Sequence, residues 1–154
     1  MDKNVVPLVF ETYQAIVKNS VGSNLFRNFY AKVHGKKTDI MNDGDLSCAF
    51  FVSSILTLLG FIKGTHGTVD ATVRDLRASG WKAVRTPKAG SVLVWEQRNF
   101  GKDNSHKHIG FFIGNGLAVS NISAKKQPRK HPWNFQGKRK VDLILWHPKL
   151  NKNK

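Results

Sequence analysis

Asp45-Leu46-Ser47-Cys48-Ala49-Phe50-Phe51-Val52 carries the chain's single cysteine and opens an apolar run that lasts to Leu59 and stops at Gly60. Inside the run only Ser53, Ser54 and Thr57 are polar. The pattern predicts a buried helix, with Asp45 or Ser47 as N-cap and Gly60 just past the end. Cys48 then falls in the first turn. There, unpaired backbone N–H groups and the positive end of the helix dipole favour a thiolate over a thiol. A free cysteine in a packed helix also serves as a small hydrophobe, so this stretch alone leaves nucleophile and core residue both open.

Downstream, Lys107-His108-Ile109-Gly110-Phe111-Phe112-Ile113-Gly114-Asn115-Gly116 predicts a strand running into an Asn-Gly hairpin turn. Between the two stretches, Pro87-Lys88-Ala89-Gly90-Ser91-Val92-Leu93-Val94-Trp95 predicts a second strand behind a turn. A helix-borne cysteine followed by a strand-borne histidine is the order that papain-like cysteine hydrolases use. The three stretches resemble the NlpC-type cell-wall peptidase family. Its catalytic helix opens Asp-Cys-Ser-Gly-Phe-Val, and its histidine strand reads His-Val-Gly-Ile-Tyr. Cys48, Phe51 and Val52 match the first motif; Ser47 and Ala49-Phe50 depart from it. His108, Gly110, Phe112 and the turn at Gly114-Asn115-Gly116 match the second. The resemblance spans roughly residues 25–123 and implies a papain-like fold with Cys48 as nucleophile and His108 as base.

An imidazole base needs a partner that holds its ring and tautomer. In the resembled family this is a polar residue on the following strand, and the family's spacing from His108 reaches Ser120. Strand parity points to its neighbour. If Asn115-Gly116 is a plain two-residue turn, Gly110 lies opposite Asn121, so Asn121 shares a face with His108 and Ser120 points away. A bulge would exchange the two. Asn121 is taken as the orienting residue, in a Cys-His-Asn arrangement.

The whole chain is 154 residues, one domain's worth, expected over 1–150 with 151–154 as a tail. Forty per cent apolar residues, with ten Phe and four Trp, exclude a disordered chain. One cysteine excludes an intramolecular disulfide. The first residues lack the basic flank, apolar core and small-residue cleavage site of a signal peptide. No apolar run is long enough to span a membrane. A monomer is expected, and the location is left open between cytoplasmic and exported without a cleaved signal.

Net charge is +15, which implies an anionic partner. The cations crowd the C-terminal part: Lys125, Lys126, Arg129, Lys130, Lys138, Arg139 and Lys140 face Asp142 as the only acid after residue 124. Trp133 and Phe135 interleave with them, which suits a charged glycan or single-stranded nucleic acid. His106 and His108 stand two apart and could pair with Cys48 around zinc. With no CxxC, no HExxH and no ligand cluster, neither metal nor cofactor is expected. His131 is expected on the surface.

Taken in order, the chain predicts a helix over 7–17, a short helix over 25–33, a loop over 36–45, the cysteine helix, and a third helix from Thr68 to Gly80. Strands follow over 91–96, 107–113, 117–122 and 141–146, with a polar loop over 97–107. Helices first and a strand meander after predict an α+β domain, N-terminal helices packed on one face of an antiparallel sheet. The expected chemistry is amide hydrolysis through a Cys48 acyl-enzyme. By resemblance the substrate is a peptide bond in peptidoglycan stem peptides, with another anionic cell-wall polymer as the wider partner class. An amidase or acyltransferase on the same scaffold stays open. So does a non-catalytic basic domain that binds an anionic glycan or nucleic acid.

Overall fold

The computed structural model describes residues 3–99 and 105–151. Among them are three α-helices: α1 (Val9–Asn19), α2 (Cys48–Leu58) and α3 (Val69–Ala78). A hairpin of β1 (Tyr30–Val33) and β2 (Lys36–Asp39) stands apart from the main sheet. That sheet contains β3 (Lys82–Ala83), β4 (Val92–Asn99), β5 (Ser105–Gly114), β6 (Leu117–Ile122), β7 (Gln127–Pro132) and β8 (Val141–Trp146). Its spatial order is β3-β8-β4-β5-β6-β7, and every neighbouring pair is antiparallel. The architecture is α+β, as the helix-then-meander pattern predicts.

All three helices bury their apolar residues against one face. Phe51, Val52, Ile55 and Leu56 of α2 join Tyr13 and Val17 of α1 and Leu76 of α3, packed with Val92, Val94, Ile109, Phe111, Val119 and Leu145 of the sheet. Phe111 is edge-on to both Tyr13 and Phe51, at 5.6 and 5.4 Å. Each such fully buried side chain is worth about 1.5–3 kcal/mol of transfer free energy. The fully buried Tyr13 hydroxyl is satisfied by the Gly90 carbonyl at 2.9 Å. On the other face Leu93, Trp95, Phe112 and Ala118 form a second cluster, covered by Trp133 and Phe135.

Helix ends follow their local chemistry. Thr68 caps α3 by accepting the Ala71 N–H at 3.2 Å. Ser47 is the N-cap residue of α2, though its buried hydroxyl makes no capping bond, and Gly60 at φ 72° follows the helix's end.

Three sequence expectations are corrected. Residues 25–33 are not a helix, because the Asp39 carboxylate gathers the N–H groups of Phe29, Met41 and Asp43 and the Asn28 amide at 2.8–3.1 Å. That ties the segment back onto β2, inside the expected 36–45 loop, with His34 and Gly35 at positive φ turning the hairpin. The expected 97–107 loop is strand at 97–99 and 105–107; residues 100–104 lie outside the described residues, as does most of the 151–154 tail. The basic segment contains a full strand, β7, paired along β6 from Ile122↔Gln127 to Leu117↔Pro132.

The register of β5 on β6 decides the site. Phe111 pairs with Val119 and Phe112 with Ala118, but Gly114 pairs with Leu117. Asn115-Gly116 is a two-residue turn, and one extra residue bulges from β5 just before it. Gly110 therefore lies against Ser120, not Asn121: a Cβ on Gly110 would sit 2.7 Å from the Ser120 Cβ.

Candidate active site

In an antiparallel sheet the end of β4, the start of β5 and the end of β6 come together. The N-terminus of α2 meets them there and a cleft of about 1110 Å³ opens between them. Cys48 lines it from α2, Gln97 from β4, Ser105 to His108 from β5, and Asn121 to Ala124 from around the end of β6. Phe135 and Arg139 reach it from the segment that covers the second face. The cysteine and histidine chosen from the sequence thus share one cleft.

His108 is held by a chain of side chains. Its Nε2 lies 2.8 Å from Ser120 Oγ, and that oxygen lies 2.7 Å from Nε2 of His131. The Nδ1 of His131 is 2.8 Å from the Pro132 carbonyl. A carbonyl only accepts, so His131 carries its proton on Nδ1 and offers a lone pair at Nε2. The Ser120 hydroxyl has one hydrogen, which it donates to His131, and so it accepts the N–H of His108 Nε2. That leaves the lone pair of His108 on Nδ1. The argument needs His131 neutral. Burial pushes its pKa down, and Phe135 stacks on its ring at 4.2 Å and 15°. Trp95 lies 5.2 Å from the His108 ring, and its Nε1 donates to the Trp133 carbonyl at 2.8 Å, fastening the covering segment over both imidazoles.

Asn121 is the corrected choice. The β5 bulge turns it to the helix side of the sheet, where its Nδ2 donates to the Gly44 carbonyl at 2.9 Å in the loop before α2. It braces that loop and does not touch His108. Ser120, the residue reached by the spacing of the resembled peptidases, makes the contact with His108 instead. His131, expected on the surface, is half-buried within the chain of hydrogen bonds.

The electrostatics correct a second expectation. Burial pushes the Cys48 thiol up, against the backbone N–H groups of Ile109, Ala49 and Cys48 itself and the charge of Arg139. Burial also pushes His108 down to about 3, reinforced by Arg139 and His131. The helix terminus is outweighed by desolvation, so the resting pair is a neutral thiol and a neutral imidazole.

Phe135 and Arg139 escaped sequence reasoning as site residues, although both stand in the basic segment beside His131. The interleaving of Trp133 and Phe135 with cations was a real signal with another cause. Both aromatics turn inward onto Trp95 and Phe112, so they do not form an exposed stacking surface. Among the described residues, no three His, Cys, Asp or Glu side chains converge as a metal ligand set. His66, with no context in the sequence, instead bonds Asp75 at 2.7 Å and fastens the α2–α3 connection. Compared with known proteins, the chain matches no family model and no curated sequence.

Proposed function

We propose that this chain is a cysteine hydrolase of papain-like arrangement that cleaves amide bonds in peptides. The observation that carries the reading is the hydrogen-bonded chain from His108 through Ser120 to His131, which leaves a lone pair on Nδ1 of His108, a residue that lines the same cleft as Cys48. His108 Nδ1 takes the Cys48 proton as sulfur attacks the carbonyl carbon. The backbone N–H of Cys48, free of an intrahelical partner in the first helical turn and turned to its own sulfur, receives the developing oxyanion. His108 then gives the proton to the leaving nitrogen as the C–N bond breaks. Water, activated by the same imidazole, hydrolyses the thioester and frees the thiol. Resemblance of the Cys48 and His108 stretches to NlpC-type peptidases supports peptidoglycan stem peptides as the substrate class. The +15 charge favours accumulation on anionic cell-wall polymers.

The test is mass-spectrometric analysis of peptidoglycan fragments incubated with the chain and with Cys48→Ala. The expected result is a new amine terminus released only by the chain with Cys48 intact. Absence of any Cys48-dependent product, together with a folded-state thiol inert to iodoacetamide, would overturn the reading.

A further inference from the structure

Arg139 lines the same cleft as Cys48 and His108, and its side chain is pinned there. Two residues of β4, Glu96 and Gln97, bulge out of the ladder between Trp95↔His108 and Arg98↔His106. The bulge frees the Glu96 carbonyl, which accepts from Arg139 Nε at 3.1 Å and Nη2 at 2.9 Å; Nη2 also donates to the His106 carbonyl at 3.0 Å. The flanking backbone is fixed too, since Lys140 N–H donates to the Glu96 carboxylate and Glu96 N–H to the Lys140 carbonyl. These bonds use three of the five guanidinium donors. Both hydrogens of Nη1 remain without a partner among the described residues.

The guanidinium also has no carboxylate bound to it among the described residues, Glu96 acting on it only at longer range. Among the described residues no carboxylate lies within ion-pair distance of it, while Lys107 in the same cleft is matched by Asp70 at 2.9 Å. Glu96 is occupied by the Lys140 N–H and lies 3.8 Å from Arg98. A half-buried cation whose partners among the described residues are neutral carbonyls keeps much of its desolvation penalty uncompensated, and an anionic oxygen relieves it. The lowered pKa of Arg139, caused first by burial, accords with this.

We infer that Arg139 is the anion-binding residue of the cleft, holding through Nη1 a substrate carboxylate beside the amide bond that Cys48 attacks. The inference rests on the cysteine-hydrolase reading and narrows its substrates to amides with a free carboxylate close to the scissile bond. Arg suits this task better than Lys because its planar fork can grip the two carbonyls and still present a rigid donor pair.

The chain's lone thiol gives a test that needs no known substrate. Iodoacetate and iodoacetamide alkylate the same sulfur by displacing iodide, and only the first carries a carboxylate. Their rate ratio at one pH cancels the thiolate fraction. The expected iodoacetate-to-iodoacetamide ratio is about tenfold higher in the folded chain than in the urea-unfolded chain, the equivalent of one charge-assisted hydrogen bond. Added salt lowers it, Arg139→Gln returns it to the unfolded value, and Arg139→Lys keeps part of it. Equal ratios in the folded and unfolded wild-type chain overturn the inference, however the variants fold, and leave Cys48 as nucleophile. A folded chain inert to both reagents overturns the nucleophile as well as the anion site.

Discussion

Replacing Ser120 with Ala removes one oxygen and breaks both links of the imidazole chain, at 2.8 Å to His108 and 2.7 Å to His131. Ser120 itself is fully buried, so the two ring nitrogens lose their only bridge. A donor and an acceptor left unpaired in such a place cost about 1–3 kcal/mol together, the lower end applying where water reaches the partly buried His108 ring. The larger effect is on chemistry. Without the hydroxyl nothing selects the tautomer with its lone pair on Nδ1. The expected loss is about 10- to 100-fold in kcat with little change in KM, the scale seen when an outer partner of a functional imidazole is removed. The assay pairs urea denaturation with the pH profile of Cys48 alkylation by iodoacetamide and, where turnover is measurable, kcat. Ser120→Ala combined with His131→Phe should be no worse than the more damaging single change, a non-additivity of about 1–2 kcal/mol. Asn121→Ala is the control. It should cost stability through the Gly44 contact and change kcat only a few-fold. A Ser120→Ala variant with unaltered alkylation and kcat, or an Asn121→Ala variant more crippled than it, would refute the hydrogen-bond chain.

Gly110→Ala should destabilise the fold by about 3 kcal/mol, the upper end of overpacking costs. The new Cβ would stand 2.7 Å from both the Val119 carbonyl oxygen and the Ser120 Cβ, neither of which can rotate away. An unchanged urea midpoint would mean that the β5–β6 register is wrong. Acid should weaken the fold before its carboxylates titrate. His108 has a folded pKa of about 3 against 6.5 for an ordinary histidine, so its neutral form is favoured by folding. That contribution is fully present above pH 6.5 and fades as pH falls toward 3, at up to about 1.4 kcal/mol per pH unit, roughly halved for the ring's partial exposure. His131 and His147, also lowered by burial, act in the same direction. Asp75, with a folded pKa of about 2, stabilises the fold fully above its ordinary value of 3.8 and loses that contribution only as pH falls below it. Denaturation midpoints that stay flat from pH 7 to 5, or a His108→Asn variant with an undiminished slope, would count against a buried neutral imidazole.

The parts legible in the sequence are those where a side-chain period or a cap states the answer. Cys48 to Leu58 is apolar on nearly every face, Thr68 and Gly80 bracket α3, and β4, β5, β6 and β8 alternate or run apolar. β7 was invisible because Gln127-Pro128-Arg129-Lys130-His131-Pro132 has no apolar face of its own and owes its extension to pairing with β6. Tyr30–Val33 misled because aromatic spacing suggested a helix, while the deciding contacts come from Asp39. At the site, Cys48 and His108 were readable from their stretches. Ser120 and Asn121 differ by one step of parity, and a single bulged residue in β5 reverses which of them meets the imidazole. Arg139 carried no mark distinguishing it from the cations around it. Its position depends on a bulge in β4, far away in sequence.

β7 is the outermost strand of the main sheet, and its backbone carries a further consequence. The Pro128 carbonyl accepts the Gly22 N–H at 2.9 Å from the loop after α1, so the backbone groups of residue 128 point outward, away from β6. By alternation those of Pro132 do too, and neither proline has a hydrogen to offer there. Between them stand Arg129 and Lys130, both exposed. The opposite margin is β3, only two residues long. A growing aggregate that recruits sheets by adding strands finds one rim where Lys130 is the outward donor left between the two prolines, partly covered and positively charged, and the other too short to template anything. The basic segment that looked like a docking surface therefore also keeps identical molecules from templating on one another.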